Sequence, residues 1–267
     1  GSKCGFGGCY YNRPSDRSDD FNEISARFGV STTFEELNYF AQISLGFRPP
    51  QINEAYRLQK KQNVTDLDSE TLTMIEIGSR FDRDTVNGSV SLYKSKKKNS
   101  IFRDAENFIV DNGKTDHEGI ELSLNWLISS NNTVSSNITY GDHRYDFETD
   151  TSMREKIRIG NKIDTSPKLM ANLIWDLNLR NDSSISFEIE HMSSYYTDAA
   201  NLHEYDGHTL YHARFNKNLS TSMKGFVRVD NIFDKAYAER ADFNAFGGDR
   251  YFPGLPREFY VGIEYTF

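Results

Sequence analysis

The feature that most constrains the fold is a regular alternation of short and long links between strand-like segments. Eleven segments alternate apolar and polar side chains, which is typical of strands with one apolar face. The links between them are alternately six to eight and 15 to 29 residues long. A soluble β-sandwich also has alternating strands, but nothing in its architecture requires this difference. The pattern favours an antiparallel, up-and-down transmembrane β-barrel with tight turns at one rim and long loops at the other.

The two kinds of link assign the two rims of this predicted barrel. Outer-membrane barrels have short turns in the periplasm and long loops outside the cell. The short links, predicted to be periplasmic, are residues 31–38, 82–88, 128–133, 178–183 and 216–222. The long links, predicted to face outward, are residues 48–72, 94–116, 146–167, 194–208 and 230–258. The apolar side chains then face lipid and the polar ones face the lumen, in an all-β chain with no helix.

Aromatic side chains support the same orientation. Barrels in the outer membrane carry girdles of aromatic residues where the lipid meets water. Six aromatic residues of the predicted lipid face lie beside a short link or at the C-terminus: Tyr39, Phe81, Trp126, Trp175, Phe215 and Phe267. We expect these residues to form one girdle at the periplasmic rim.

The odd strand number predicts that residues 1–267 form only part of a barrel domain. Bacterial single-chain barrels have an even number of strands, so further strands should lie upstream. An open edge within the hydrocarbon would leave backbone groups unpaired at several kcal/mol each. We therefore expect this chain to need additional strands before it is stable in a membrane.

Composition excludes several other classes. No run of about 18 apolar residues is present, so a helical membrane span is excluded, whereas a mean hydropathy of -0.66 remains compatible with barrel strands. The 31 basic and 39 acidic residues give a net charge of -8, which argues against a nucleic-acid partner. Cys4 and Cys9 lie in a glycine-rich segment and are candidates for a disulfide, with a metal clip as the less favoured alternative.

Several motifs, taken together, resemble the TonB-dependent receptors over the range from Phe21 to Phe267. Gly46-Phe47-Arg48-Pro49-Pro50 is similar to the family's Gly-Phe-Arg-Ala-Pro segment, with Pro49 in place of Ala. The other similar segments are residues 68–78, without the family's Pro, Gly119-Ile120-Glu121-Leu122, Asn231-Ile232-Phe233-Asp234-Lys235-Ala236-Tyr237 and Pro253-Gly254-Leu255-Pro256-Arg257. Their order and spacing also match the family, so the combination is specific although each motif alone is weak.

The resemblance implies a location and an activity. Family members are 22-stranded barrels around an N-terminal plug in the outer membrane of Gram-negative bacteria, and this chain would supply the last eleven strands. The complete protein would take up a large scarce solute using energy relayed by TonB. A ferric siderophore is the favoured ligand, and haem, cobalamin, an oligosaccharide or a passive porin-type barrel are alternatives. Terminal Phe267 resembles the signal read by the barrel-assembly machinery.

The sequence contains no motif that indicates catalysis. Gly-x-Ser-x-Gly, His-Glu-x-x-His and phosphate-loop motifs are all missing from it, so we predict no enzyme and no cofactor. The pairs Asp142-His143 and His203-Glu204 could suggest metal ligands, but loop pairs of this kind are more often solvated, and we predict no metal site. His208 and His212 share a strand face and could contact haem iron, but we interpret them as lumen lining.

Aromatic and arginine residues in two long links are the candidates for binding a small-molecule ligand. Aromatic rings supply contact area, and guanidinium groups pair with anionic oxygens. The candidate residues are Tyr195, Tyr196, Tyr205, Arg240, Phe246, Arg250 and Tyr251. Packing between loops is the alternative role for many of them. The basic run Lys94, Lys96, Lys97 and Lys98 could contact anionic lipopolysaccharide or an anionic ligand, or could simply be solvated.

Overall fold

A single antiparallel sheet of eleven strands dominates the computed structural model. The structure describes residues 4–5, 8–9, 11–12, 16, 18–56, 58–59, 66–103, 109–149, 156–244 and 246–266. The strands are β1 Ala26–Phe34, β2 Leu37–Arg48, β3 Glu70–Arg83, β4 Val86–Arg103, β5 Ile109–Ser129, β6 Asn132–Tyr145, β7 Leu169–Leu179, β8 Ser183–Met192, β9 His208–Asn218, β10 Met223–Asp230 and β11 Glu258–Tyr265. All eleven predicted strands are therefore confirmed.

Each strand pairs with the strands that precede and follow it in the chain. This is the up-and-down order that the link lengths predict. Within the described residues, β1 and β11 form the two edges of the sheet and do not pair with each other. The chain thus supplies one continuous wall, and its edge strands present backbone groups with which further strands would pair.

The prediction of an entirely helix-free chain was wrong in one place. A five-residue helix, Ile52–Tyr56, lies in the first long link. Glu54 accepts a hydrogen bond from the backbone N–H of Gln51 at 2.6 Å, which satisfies one of the free donors at the helix start. Among the described residues, no helix has the length and apolar character needed to cross a bilayer.

One face of the sheet is apolar and exposed, as predicted for the lipid-facing side. Alternate residues along each strand point to this face because the side-chain period of a strand is two. Its exposed aliphatic and aromatic members include Ile43, Ile75, Ile77, Leu92, Ile120, Leu173, Phe187, Val227, Val261 and Ile263. The opposite face is polar and carries cross-strand hydrogen bonds, such as the one from Asn172 Nδ2 to Glu188 Oε1 at 2.7 Å. A large exposed apolar surface of this kind suits lipid.

Four of the six predicted girdle residues, Tyr39, Trp126, Trp175 and Phe215, are exposed on the apolar face. Trp175 stacks on Phe187 with 5.8 Å between ring centroids. Phe81 is half-buried and lies directly across from Gly88, where its ring occupies the space that a Cβ would need. Phe267 lies outside the described residues, so its predicted role in barrel assembly stays a prediction.

The strands extend further than the alternation alone indicated. The short link 31–38 reduces to a turn at Glu35 and Glu36, where Glu35 adopts a left-handed backbone with φ of 53°. The second long link, predicted at 94–116, is mostly strand, because β4 and β5 continue to Arg103 and from Ile109. At about 3.4 Å per residue, the 21 residues of β5 span roughly 70 Å, which carries this hairpin well beyond a bilayer.

The Gly-Phe-Arg segment and the residues around Glu70 are joined by an ion-pair network. Arg48 Nε donates to Glu70 at 2.5 Å, and its terminal nitrogens donate to Glu54 at 2.9 and 3.1 Å. Glu70 is almost fully buried and also accepts from the backbone N–H of Ile101 at 2.7 Å and pairs with Lys97 at 3.0 Å. These contacts tie the short helix to β2, β3 and β4 at the outward rim.

Cys4 and Cys9 lie opposite each other in a two-residue antiparallel ladder. Directly opposed residues in such a ladder have Cα atoms about 4.5 to 5.5 Å apart, within the range a disulfide needs. Their side chains lie outside the described part of the structure, so the disulfide stays a prediction.

The orientation of the sheet can be tested by labelling cysteines on intact cells that make the full-length protein. With Cys4 and Cys9 replaced by Ser, we expect Leu202→Cys in a long link to react with a membrane-impermeant maleimide. Asn131→Cys in a short turn should react only after the outer membrane is permeabilised. Leu202 is 76% exposed and Asn131 is also exposed, so differences in access would reflect sidedness. Labelling of Asn131→Cys alone on intact cells would reverse the assignment.

The two faces can be distinguished by arginine substitutions in adjacent residues of β5. Leu122 lies on the apolar face between Val90 and Ile138, whereas Ser123 points to the polar face. Leu122→Arg should destabilise the full-length barrel in bilayers by roughly 2 to 4 kcal/mol, because the charge would lie in hydrocarbon. Ser123→Arg should have little effect. Equal destabilisation in reversible unfolding experiments would contradict the assigned faces.

Candidate functional site

Three long loops, which we predict to face outward, pack together at one end of the sheet. Their described parts are residues 146–149 and 156–168 of the third loop, residues 193–207 of the fourth loop, and residues 231–244 and 246–257 of the fifth loop. The fourth and fifth loops each contain a short hairpin, formed by Tyr195–Tyr196 with Glu204–Tyr205 and by Ala238–Asn244 with Gly248–Pro253. These hairpins were not predicted, because the sequence analysis treated the long links as irregular.

Two buried tyrosines join the fourth loop to the fifth. The Tyr195 hydroxyl donates to the Ala241 carbonyl at 3.2 Å and accepts from the Ala241 N–H at 2.8 Å. The Tyr205 hydroxyl makes the same pair of bonds with Ala238, at 3.2 and 3.0 Å. Burial raises the pKa of Tyr195, so this phenol keeps the proton that it donates. Both tyrosines therefore act within the loop core.

The third loop is held against the fourth by amide side chains. Asn201 Oδ1 accepts from the Lys162 backbone N–H at 2.7 Å, and Asn201 Nδ2 donates to the Lys162 carbonyl at 2.8 Å. Asn161 Nδ2 donates to the Ala199 carbonyl at 2.9 Å. Asn201 adopts a left-handed backbone with φ of 58°, which Asn tolerates better than most residues. These bonds fix the relative positions of the two loops.

A half-buried carboxyl group lies where the third loop meets the strands. Asp164 accepts a hydrogen bond from the Tyr145 hydroxyl at 2.6 Å. Loss of solvation raises the pKa of Asp164, and the hydrogen bond from Tyr145 opposes that shift. Tyr145 itself packs in an apolar cluster with Ile157 of the third loop and Ala199 of the fourth loop. This small core is therefore shared by β6 and the two loops.

Arg240 and Arg250 converge on one carboxylate of the fifth-loop hairpin. Arg240 lies 2.9 Å and Arg250 lies 2.6 Å from opposite oxygens of Asp242, whose side chain is only 8% exposed. The side chain of Arg240 is 64% exposed, and that of Arg250 is 50% exposed. Arg240 also lies over the ring of Phe252, 5.7 Å from its centroid. The hairpin thus presents a rigid surface with two positive charges and one negative charge.

The predicted ligand-binding residues divide into two groups. Tyr195 and Tyr205 are buried in the loop core, and Tyr196 is half-buried, with its carbonyl accepting a bond from Thr165. The residues that remain accessible on the fifth-loop hairpin are Arg240, Phe246, Arg250 and Tyr251. Sequence reasoning missed Asp242 and Phe252, which share the hairpin face with the two arginines. Alternation along residues 238–244 could have identified that face.

The histidines considered in the sequence analysis have partners within the chain. His203 stacks on Phe243, with ring centroids 4.0 Å apart. The side chain of His208 hydrogen-bonds to the Tyr205 hydroxyl at 2.9 Å, and His212 bonds to Asp230 at 3.1 Å. Asp142 pairs with Lys162 and Arg144 rather than with its neighbour His143. No group of three or more His, Cys, Asp or Glu side chains in the described ranges is arranged to hold a metal ion.

The basic run on β4 is divided between the two faces of the sheet. Lys94 and Lys96 point to the same side as Leu92 and pair with Glu118 at 2.9 Å and Asp116 at 3.1 Å. Lys97 points to the other side, where it pairs with Glu70. Lys98 is exposed. The apolar face therefore changes to a band of exposed charges immediately above Leu92.

The asparagine motif at the start of the fifth loop has a structural role. Asn231 Oδ1 accepts from the Lys235 N–H at 2.8 Å, and Asn231 Nδ2 donates to the carbonyls of Lys235 and Leu255 at 2.9 and 3.2 Å. Asp234 accepts from the Arg257 N–H at 2.9 Å. The motif and the segment at 253–257 hold the base of the loop closed.

An antiparallel meander with an apolar outer face, a polar inner face and packed loops at one rim is the architecture of part of an outer-membrane β-barrel. The family described as TonB dependent receptor-like, beta-barrel matches residues 6–232. The chain belongs to this family, whose members are outer-membrane transporters of Gram-negative bacteria and not enzymes. Family membership therefore confirms the predicted class and the predicted location.

Solved structures with the same fold include three import receptors. The ferric-catecholate import receptor Fiu of Escherichia coli K12 has a TM-score of 0.71 and 17% identity, with 90% of this chain and 34% of Fiu covered. The siderophore receptor PiuA of Acinetobacter baumannii has a TM-score of 0.74 and 17% identity, with 90% of this chain and 35% of PiuA covered. The ferric yersiniabactin uptake receptor FyuA of Yersinia pestis has a TM-score of 0.70 and 17% identity, with 90% of this chain and 36% of FyuA covered. This chain thus spans about a third of their length. No curated protein sequence matches it.

Closure of the fifth loop depends on a glycine, which can be tested by substitution. A Cβ at Gly254 would lie 2.0 Å from the Tyr237 ring, whereas one at Gly247 would meet only Asn244 at 4.0 Å. Gly254→Ala should displace the ring and weaken the loop by about 1 to 3 kcal/mol. Limited proteolysis of the full-length receptor in detergent should then cut residues 231–257 faster. Gly247→Ala should be cut at the wild-type rate, and equal rates for both variants would contradict this account.

Proposed function

We propose that this chain forms part of a TonB-dependent receptor that imports a large anionic chelate, most simply a ferric siderophore, across the outer membrane. Family membership supports TonB-dependent transport. The three structurally similar receptors named above import a ferric catecholate, a siderophore and ferric yersiniabactin. Energy would reach the receptor through TonB, and the TonB-contacting segment and plug would come from parts of the protein outside this chain.

The observation that carries the ligand proposal is the arginine pair on the fifth-loop hairpin. Asp242 accepts a hydrogen bond from Arg250 Nε and forms an ion pair with Arg240 Nη2, so each planar guanidinium has further donors for a ligand. Planar guanidinium groups bind carboxylate and catecholate oxygens well. Phe252 on the same hairpin face and Phe246 at the hairpin tip, 49% and 76% exposed, would provide adjoining apolar area, whereas Tyr251 points to the other face, toward Tyr205. Tyr195, Tyr196 and Tyr205 would then hold this surface in place from below.

Other ligands and a passive barrel are less well supported. Neutral oligosaccharides would gain little from two guanidinium groups. Haem would require an axial ligand that it can reach, and the candidates His208 and His212 are held in the wall through Nδ1 by Tyr205 and Asp230, with the Nε2 of His212 buried. Membership of a receptor family favours energised uptake over a passive porin. Cobalamin stays an alternative that differs from a siderophore in lacking the chelating oxygens that arginine would bind.

Two further partners follow from position. We propose that the charged band above Leu92, with Lys94, Lys96 and Lys98, contacts phosphate groups of lipopolysaccharide, because it lies where the lipid face ends. Lys94 and Lys96 could exchange their exposed carboxylate partners for phosphate at little cost, since exposed ion pairs are weak. The barrel-assembly machinery would recognise the C-terminal strand through Phe267.

The arginine pair can be tested without leaving a buried charge unpaired. The test would compare Asp242→Asn alone with the triple variant Arg240→Gln, Arg250→Gln and Asp242→Asn in the full-length receptor. The triple variant should bind an anionic ferric chelate at least about tenfold more weakly, which corresponds to about 1.4 kcal/mol. Asp242→Asn alone should keep most of the wild-type affinity, because the two guanidinium groups gain net charge for the ligand as they lose the carboxylate that orders them.

Binding is measured by fluorescence quenching in detergent, and uptake is measured with radiolabelled iron. Equal barrel abundance in the outer membrane is the control for assembly. Wild-type affinity in the triple variant across a panel of carboxylate, hydroxamate and catecholate chelates would show that the arginines serve only loop packing. In that case the receptor assignment would still rest on the family.

A further inference from the structure

Two histidines face each other on the polar side of the sheet, away from the loop hairpin. His117 on β5 and His143 on β6 are direct cross-strand partners. They lie on the opposite face from Ile120 and Leu122, which places them on the inner wall. Their Nδ1 atoms are 2.9 Å apart, and their ring centroids are 5.1 Å apart. Nothing local in the sequence relates His143 to His117, which lies 26 residues earlier in the chain.

Hydrogen bonding prepares one of these rings as a ligand. His117 Nε2 lies 2.8 Å from the Thr115 hydroxyl. In the tautomer that donates from Nε2 to Thr115, the Nδ1 of His117 carries a lone pair directed at His143. A second bond of this kind, which orients the ring through its other nitrogen, accompanies most histidines that bind metals. Transfer of the His143 proton from Nδ1 to Nε2, with a rotation of both rings that turns the two lone pairs away from each other and toward one point, would give two neutral donors for a single ion.

The distance between the two nitrogens indicates which metal ions would fit. With metal–nitrogen bonds of about 2.0 to 2.1 Å, donors 2.9 Å apart subtend an angle of about 90° at the ion. That is the angle between neighbouring donors in square-planar and tetragonal complexes, which Cu²⁺ and Ni²⁺ prefer. A tetrahedral ion such as Zn²⁺ would need the nitrogens about 3.3 Å apart. Cu²⁺ also binds most tightly among the divalent ions of this series.

The surroundings leave room for further ligands. A cavity of about 420 Å³ adjoins the pair and is lined by Met74, Glu76, Tyr93, Glu121 and the two histidines, among others. Gly119 and Gly141 lie opposite each other one row below the histidines. A Cβ at Gly141 would lie 2.6 Å from His143 Nε2, and one at Gly119 would lie 2.6 Å from the Tyr93 hydroxyl. The two glycines therefore provide the space that the imidazole and the phenol occupy.

We propose that His117 and His143 form a two-imidazole site on the inner wall that binds Cu²⁺, and that binds Ni²⁺ with lower affinity. The remaining coordination positions face the cavity, where water or oxygen atoms of a chelate would complete the complex. This site is separate from the arginine hairpin, and it does not depend on the proposed uptake of a siderophore.

The test uses full-length receptor, free of any histidine tag, in detergent micelles, titrated with CuCl₂ alone. Wild type should give a tetragonal Cu²⁺ electron paramagnetic resonance spectrum, with pulsed measurements resolving two coordinated imidazoles. The single variants His117→Gln and His143→Gln should each retain one imidazole. The double variant should bind Cu²⁺ at least about tenfold more weakly. Because the wild-type spectrum counts imidazoles directly, the proposal can be judged even if the double variant fails to assemble.

The matched control is His203→Gln, which removes a single imidazole from the fourth loop that stacks on Phe243. It should keep the wild-type spectrum and affinity. A wild-type spectrum without two imidazoles, or an unchanged spectrum in the assembled double variant, would overturn the proposal and leave the pair as a hydrogen bond between strands. The test measures Cu²⁺ binding and not uptake, so its result does not depend on whether the protein imports a siderophore.

Discussion

The structure depends on one requirement: every backbone N–H and C=O group within hydrocarbon needs a hydrogen-bond partner in the protein. In this chain each strand meets that requirement with its immediate neighbours, which gives a meander of eleven strands without crossovers. Because pairing is satisfied edge to edge, one side-chain face is free to contact lipid, and exposed residues such as Ile77 and Val261 are acceptable there. The same requirement explains why the open edges at β1 and β11 call for further strands.

The fixed ends of the strands determine how the outward loops can pack. Adjacent strands deliver the bases of the fourth and fifth loops side by side, and Tyr195 and Tyr205 then join the two loops through backbone groups. Asn231 closes the base of the fifth loop, and Asp242 organises its tip. The two arginines are held by a buried carboxylate, so in the proposed binding role a ligand would have little ordering of side chains to do.

The inner wall and the loop tips offer two different chemistries. The fifth-loop hairpin presents cationic donors, which suit the oxygen atoms of an anionic chelate. His117 and His143 present nitrogen donors, which suit a transition metal ion. Both arrangements are products of cross-strand register: Arg250 is opposite Asp242, and His117 is opposite His143. Side chains far apart in sequence therefore become partners only because the ladders align them.

The sequence by itself determined the strand number, the apolar face and the alternation of short turns with long links, because alternation and link length are local properties that the membrane imposes directly. The family was also evident from short motifs such as Asn231 to Tyr237. Only the tertiary structure decided which loop residues are buried. Tyr195 and Arg240 carry similar signals in the sequence, yet one lies in the loop core and the other is exposed. Burial of the loop tyrosines and the pairing of the facing histidines depend on contacts between segments separated in the chain, which periodicity along one strand does not contain. The carboxylate between the arginines depends on the register of a single short hairpin.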